Sequence, residues 1–200
     1  MSGLQRVRLV LWGIAAVTLV ALALVWWTKP QPTVLVESGR ALVGGPFTLV
    51  DARGDVVTDA DFQGKPFAVF FGFTHCPDIC PTALWEMTLW IDALGDDADR
   101  MRFAFVTVDP ARDTPEVMGA YVGSFTDRIV PLTGSAEQIE AIVRAYRVYA
   151  RKVPLENGDY TMDHSTMVYL MDEAGGYVAH IPHGESVERA VARLRELVRS

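Results

Sequence analysis

The sequence predicts an α/β fold, a central mixed β-sheet flanked by helices, behind one N-terminal transmembrane helix. Three observations carry this. Strand-like and helix-like patterns alternate along most of the chain, which implies a sheet covered by helices. Residues 67–73 form an unbroken apolar run of strand length, the mark of a strand buried on both faces. Residues 9–28 hold no charge and are nearly all apolar, long enough to cross a bilayer core.

The chain has 200 residues, 50% hydrophobic and 22% charged. That suits one domain with an anchor and excludes a disordered chain. Arg6 and Arg8 precede the apolar run and no acidic residue occurs before Glu37. The positive end is expected in the cytoplasm and the rest across the membrane. Ala21-Leu22-Ala23 resembles a signal-peptidase site, but four more apolar residues follow it, which favours an uncleaved anchor. The expected organisation is a cytoplasmic tail (1–8), an anchor (9–28), a proline-stiffened linker (29–41) and a globular domain (42–200). A single-pass protein of a bacterial inner membrane, with a periplasmic domain, is the expected location. Setting aside Arg6, Arg8 and Lys29 leaves 15 basic against 25 acidic residues. Such a domain repels phosphate backbones, so nucleic acid is not an expected partner.

The elements follow in order. Residues 47–50 and 56–57 read as a hairpin around the turn 51–54. After strand 67–73 comes a loop with both cysteines, then a helical pattern to about Leu94. Residues 101–108 form a second buried strand, ended by Asp109-Pro110. Asp113 or Thr114 can N-cap a helix with Pro115 in its first turn. Residues 129–132 are a short strand. Ser135 and Gln138 form a capping box for the next helix. Residues 166–171 and 177–181 are strands joined across 173–176. Ser186 caps a last helix with Ala190, Val191, Leu194 and Leu197 on one face.

The only cysteines are four apart, in Cys76-Pro-Asp-Ile-Cys80, at a strand-to-helix junction. A disulfide closing so short a loop is a weak staple. A helix N-terminus favours thiolate, and the i, i+4 spacing sets both sulfurs on one side of a helical turn. The pair suits thiol–disulfide exchange or a soft metal. A third ligand would come from His75, His164, His180 or His183. His164 lies directly before a strand and can reach the sheet end where the cysteine loop sits. His75 points along the outgoing strand, and His180 and His183 read as surface or structural groups. Met87, Met167 and Met171 occupy apolar helix or strand positions and read as core.

Gly72-Phe-Thr-His-Cys76-Pro-Asp-Ile-Cys80-Pro81 resembles the signature of the SCO/SenC family of copper proteins. Val108-Asp-Pro-Ala-Arg-Asp-Thr114 and Asp163-His164 resemble its second and third motifs, in family order. The resemblance implies a thioredoxin-like fold and one copper held by Cys76, Cys80 and His164. It also implies a role in assembling the copper A centre of cytochrome c oxidase. The implied partners are the copper A subunit and an upstream periplasmic copper donor, and the implied protein is a metallochaperone rather than an enzyme. Two thiolates and an imidazole suit Cu(I), and also Cu(II) if a fourth position is filled. Asp78 and Asp163 are candidates for orienting a ligand or the loop. Asp109 and Arg112 read as partners in a turn near the site. A redox-active Cys76–Cys80 disulfide is expected to alternate with the copper-binding dithiol. A membrane-tethered thiol–disulfide oxidoreductase that reduces partner cysteines is the alternative. Thioredoxin-type enzymes carry two spacer residues and a proline before the opposing strand. This chain has three spacers and His164-Ser165 there, which favours metal.

Overall fold

A computed structural model describes Trp12 and residues 43–199. The expected membrane anchor at 9–28 lies outside the described residues except for Trp12, which is helical. Among the described residues no helix is long and apolar enough to cross a membrane.

The core is a five-stranded mixed sheet. Its strands are β3 (Phe67–Gly72), β4 (Arg102–Thr107), β5 (Ile129–Leu132), β8 (Val168–Met171) and β9 (Tyr177–Ile181), in spatial order β5-β4-β3-β8-β9. Strands β3, β4 and β5 are parallel; β8 pairs antiparallel with both β3 and β9. Central β3 is buried at all six residues, so both of its faces are covered, as its unbroken apolar run requires. Phe70 and Phe71 then point to opposite faces. Phe70 packs on Phe105 and Phe71 on Tyr146 and Tyr169.

The helices are α1 (Ile79–Leu94), α2 (Pro115–Gly123), α3 (Ala136–Ala145) and α4 (Val187–Arg199). Helix α1 packs against α4, whose buried stripe is Ala190, Val191, Leu194, Leu197 and Val198. Thr114 caps α2 by accepting from Val117 N. The Ser135–Gln138 capping box at α3 forms as expected. An N-terminal hairpin pairs β1 (Thr48–Val50) with β2 (Val56–Thr58), and Val50 bridges to Thr133 beside β5.

One feature departs from the sequence reading. The stretch before β8 is not a plain loop but the second strand of a separate ribbon. Strand β6 (Ala150–Pro154) pairs antiparallel with β7 (Tyr160–His164). Its turn carries Asn157-Gly158, with Gly158 at φ 85°, a conformation glycine adopts without strain. That dipeptide was the hairpin signal. Both strands are five residues long and contain no fully buried residue, and the alternation of Tyr160 and Met162 with Thr161 and Asp163 in β7 is too short to announce a strand by itself.

Candidate metal centre

The topology brings the site together. Strand β3 ends at Gly72 and delivers the chain to the cysteine loop. Strand β8 runs the opposite way and starts at Val168, opposite Phe70. The residues entering β8 therefore lie at the sheet end where β3 leaves, which puts His164 beside both cysteines.

The Sγ atoms of Cys76 and Cys80 and a ring nitrogen of His164 lie within 4.8 Å of one another. Among the described residues this is the one such grouping of His, Cys, Asp and Glu side chains. Cys80 Sγ is 3.5 Å from His164 Nε2. Both cysteines are free thiols, Cys80 buried and Cys76 half-buried.

The two sulfurs are not presented by one helical turn, as the spacing suggested. Only Cys80 is helical, in the first turn of α1. Cys76 precedes Pro77, which disfavours the α conformation for it. Its backbone N–H instead donates to Phe73 O, and its sulfur accepts the N–H of Cys80 at 3.3 Å. The approach of Cys80 to the sheet depends on Gly72. A Cβ there would stand 2.7 Å from Cys80 Sγ and 2.8 Å from the Phe105 ring.

The electrostatics separate the two thiols. The Cys80 thiol donates to Cys76, and this chiefly pulls Cys76 down to about 3 against the opposing effect of burial. A hydrogen bond with the His164 ring and the N–H groups of Cys80 and Asp78 add to it. Cys80 is pushed up because it keeps the shared proton and is buried. Burial chiefly, with the neighbouring cysteine pair and Asp113 adding to it, also pushes the Tyr121 phenol up, so it remains neutral. The metal-free pair thus holds one thiolate and one thiol.

His164 Nδ1 lies 2.8 Å from the Ser165 carbonyl. A carbonyl can only accept, so Nδ1 carries the proton and the neutral ring offers its Nε2 lone pair toward Cys80. Phe70 and Phe73 pack edge-on to the ring, with centroids 6.1 and 5.7 Å away. Ser165 is tied to the ribbon: its N–H donates to Tyr149 O and its Oγ accepts from Tyr149 N.

The remaining residues singled out in the sequence sit as follows. The exposed Asp163 carboxylate faces Tyr149 OH at 3.4 Å and Arg151 at 3.6 Å; the Ser165 carbonyl, rather than Asp163, orients the imidazole. Successive strand residues point to opposite faces, so Asp163 and His164 diverge. Asp78 is exposed and makes no side-chain cap on α1; its carbonyl accepts from Thr82. His75 is exposed beside Thr74, His180 bonds Tyr177, and His183 faces Glu86. Met87 and Met171 are buried in the core.

Asp113 holds a place the sequence reading missed. It is fully buried and does not cap α2. Its carboxylate accepts from Thr74 N (3.1 Å), Thr74 Oγ1 (2.6 Å) and Thr107 Oγ1 (2.6 Å). The sequence signals were its place in the Val108–Thr114 motif and its standing as a second cap candidate beside Thr114, which left a carboxylate to spare. Asp109, also buried, pairs with Arg112 and accepts from Tyr160 OH at 2.8 Å. Arg112 donates to Tyr160 O at 3.0 Å, and its guanidinium lies 3.7 Å from the Tyr160 ring centroid.

Two sulfurs and one imidazole nitrogen at this spacing form a soft, three-donor set. It fits a monovalent copper ion in trigonal coordination, and a divalent one with an added ligand.

A sequence model of the SCO1/SenC family matches residues 36–199. The chain is 43% identical to Protein sco1 of Schizosaccharomyces pombe over 154 residues, which is 75% of this chain and 59% of that protein. It is 39% identical to the SCO2-like protein RP587 of Rickettsia prowazekii, covering 72% of each. The chain spans about half the length of several curated relatives it matches. A structure of Bradyrhizobium japonicum ScoI with copper bound superposes with a TM-score of 0.73 at 46% identity, over 78% of this chain and 99% of that one. Arabidopsis thaliana ScoI with copper bound gives 0.74 at 37% identity, over 78% and 98%.

Proposed function

The chain belongs to the SCO1/SenC family, and from that premise we propose that it is a membrane-anchored metallochaperone. It takes one copper ion as cargo between Cys76, Cys80 and His164 and passes it on during assembly of the copper A centre of cytochrome c oxidase. The observation that carries the reading is the convergence of two sulfurs and one imidazole nitrogen within 4.8 Å at one end of the sheet. The copper-bound relatives support it. Cys76 supplies a ready thiolate, Cys80 gives up its proton on binding, and the Ser165 carbonyl keeps Nε2 free to ligate. The copper A subunit is the recipient and a periplasmic copper protein the donor. The anchor at 9–28 tethers the domain to the periplasmic face of a bacterial inner membrane.

Copper stoichiometry of the purified full chain tests the reading: one Cu(I) per reduced chain, and little on the oxidised chain, which offers no thiolate. Equal uptake before and after reduction would refute it. Alkaline phosphatase fused after Ser200 tests the topology, and an inactive fusion would overturn it.

A second reading has its own observation, the depressed Cys76 thiol beside a protonated Cys80. In it, Cys76 thiolate attacks a partner disulfide and releases one partner thiolate. Cys80 then loses its proton, closes the Cys76–Cys80 disulfide and frees the second partner thiol. Two electrons pass to the partner. Oxidase maturation in His164→Ala cells at limiting copper separates the two readings. Failure supports copper delivery, and wild-type activity supports thiol reduction.

A further inference from the structure

One five-residue loop, Asp109 to Asp113, bonds to both segments that present the candidate ligands. From its C-terminal end, Asp113 accepts from the backbone and side chain of Thr74, two residues before Cys76. The same carboxylate takes the Thr107 hydroxyl at the end of β4, and the Asp113 carbonyl takes the Thr133 hydroxyl. From its N-terminal end, Asp109 and Arg112 hold Tyr160, the first residue of β7, whose last residue is His164. The Tyr160 ring is faced by Arg112 at 3.7 Å and by Lys152 of β6 at 3.4 Å, so this grip reaches both strands of the ribbon. Arg112 also donates to Asp159 at 3.5 Å. The loop is internally fixed, since Asp109 O accepts from Arg112 N and Asp113 N.

We propose that Arg112, with Asp109 and Tyr160, is a positioning residue for His164, while Asp113 positions the cysteine arm, so that a single loop sets the distance between sulfur and imidazole. The proposal rests on the copper reading above. An isolated two-stranded ribbon is marginal in water, and this one has no buried residue of its own in either strand. Ala150 and Met162 pack against the edge of the core, and the polar grip on Tyr160 adds a directional attachment that fixes the ribbon's register against the sheet. Buried charge-assisted bonds are strong enough to provide it. Neither Arg112 nor Asp113 belongs to the ligand set. Arg112 acts chiefly through the arm it holds, with a looser contact to the Phe73 ring at 5.9 Å. Asp113 acts through its arm and through its charge, which raises the Cys80 thiol.

The test is a double-mutant cycle on the full chain. Arg112→Gln should lower Cu(I) affinity about tenfold and, in the Cu(II) form, shift the thiolate charge-transfer band. Tyr160→Phe, which removes only the bond to Asp109, should act in the same direction with a smaller effect and keep the fold intact. In a His164→Ala background neither substitution should change the remaining Cu(I) affinity, whereas Asp113→Asn should still lower it. A loss from Arg112→Gln and Tyr160→Phe that persists undiminished without His164 would overturn the proposal, because it would reflect general destabilisation. NMR of the metal-free chain gives a copper-independent readout. Arg112→Gln and Tyr160→Phe should move the His164 ring nitrogens and leave the Cys76 and Cys80 Cβ signals in place; Asp113→Asn should do the reverse. Equal movement of both sets by every variant would also overturn it. A wild-type chain that binds no copper would refute the copper reading alone, since the NMR pattern stands apart from it.

Discussion

Strand β3, which leads to Cys76, is buried along all six residues, whereas β6 and β7, the ribbon that ends at His164, contain no buried residue. The cysteine arm is held by the core: Phe70 on Phe105, Cys80 against Gly72, and α1 packed on α4. The histidine arm meets the core through the His164 ring on Phe70 and Phe73 and is otherwise held by polar bonds, from Tyr160 to Asp109, Arg112 to Tyr160 and Tyr149 to Ser165. A close-packed interior resists displacement along its whole length, while the histidine arm rests on a few part-buried polar bonds. The difference teaches that the sulfurs form the fixed half of the site and the imidazole the half that can yield.

Removing a sulfur should have the largest effect. Cys80→Ala leaves one thiolate and should abolish retention of copper through gel filtration. A variant that still holds one copper would break the comparison, because the site could not then be anchored on the cysteine pair.

His164→Ala comes next. The thiolate charge-transfer absorption of Cu(II) should be lost almost completely, because Cu(II) needs the added donor. Cu(I) should remain bound more weakly, since it tolerates two sulfurs. Unchanged Cu(II) spectra would move the third ligand elsewhere.

Gly72→Ala probes how rigid the cysteine half is. The new Cβ would stand 2.7 Å from Cys80 Sγ. Overpacking should cost about 1–3 kcal/mol in stability, read as a lower midpoint in chemical denaturation, and Cu(I) affinity should fall with it. Unaltered stability and affinity would show that the cysteine arm yields as readily as the ribbon.

Copper affinity should also depend on pH, with a single proton released. Cys76 is a thiolate above about 3, while Cys80 remains protonated at ordinary pH. Copper must displace the Cys80 proton, so affinity should rise about tenfold per pH unit between pH 5 and 8. Calorimetry in buffers of different ionisation enthalpy measures the proton count; two released protons would overturn the assignment. Stability carries the same sign. Because the folded-state value of Cys76 is depressed, its contribution is fully present above the unfolded thiol value. It falls progressively as the pH drops toward 3.

Asp163→Asn should have the smallest effect. The carboxylate is exposed on Tyr149 and Arg151, a pair worth at most about 1 kcal/mol. Copper affinity within a factor of about three of wild type is the expected result. A large loss would show that Asp163 turns toward the metal once copper binds.

Much of this was legible in the chain itself. The apolar run at Phe67–Gly72, the capping signals at Thr114 and Ser135, and the stripe from Ala190 to Val198 announced their elements, because burial and capping act over a few residues. The three motifs pointed to Cys76, Cys80 and His164. The β6–β7 ribbon escaped notice because its strands are short and hold no fully buried residue, which left the Asn157-Gly158 turn as the main signal. Asp113 was read as a cap because a local pattern cannot show that a carboxylate is buried against Thr74 and Thr107, 39 and 6 residues away.

The sequence by itself determined the strand and helix segments of the central sheet and its covering helices, the soft character of the three candidate ligands, and the pairing of two thiols beside a helix start. Only the tertiary structure decided which thiol keeps the proton, that Ser165 rather than Asp163 orients the imidazole, and that one loop grips both arms. The reason is range. Propensity, periodicity and capping are set by neighbours within a turn or two. The separation between Cys80 and His164, 84 residues apart in the chain and 3.5 Å apart in space, is set by an antiparallel β8 returning to the end of β3.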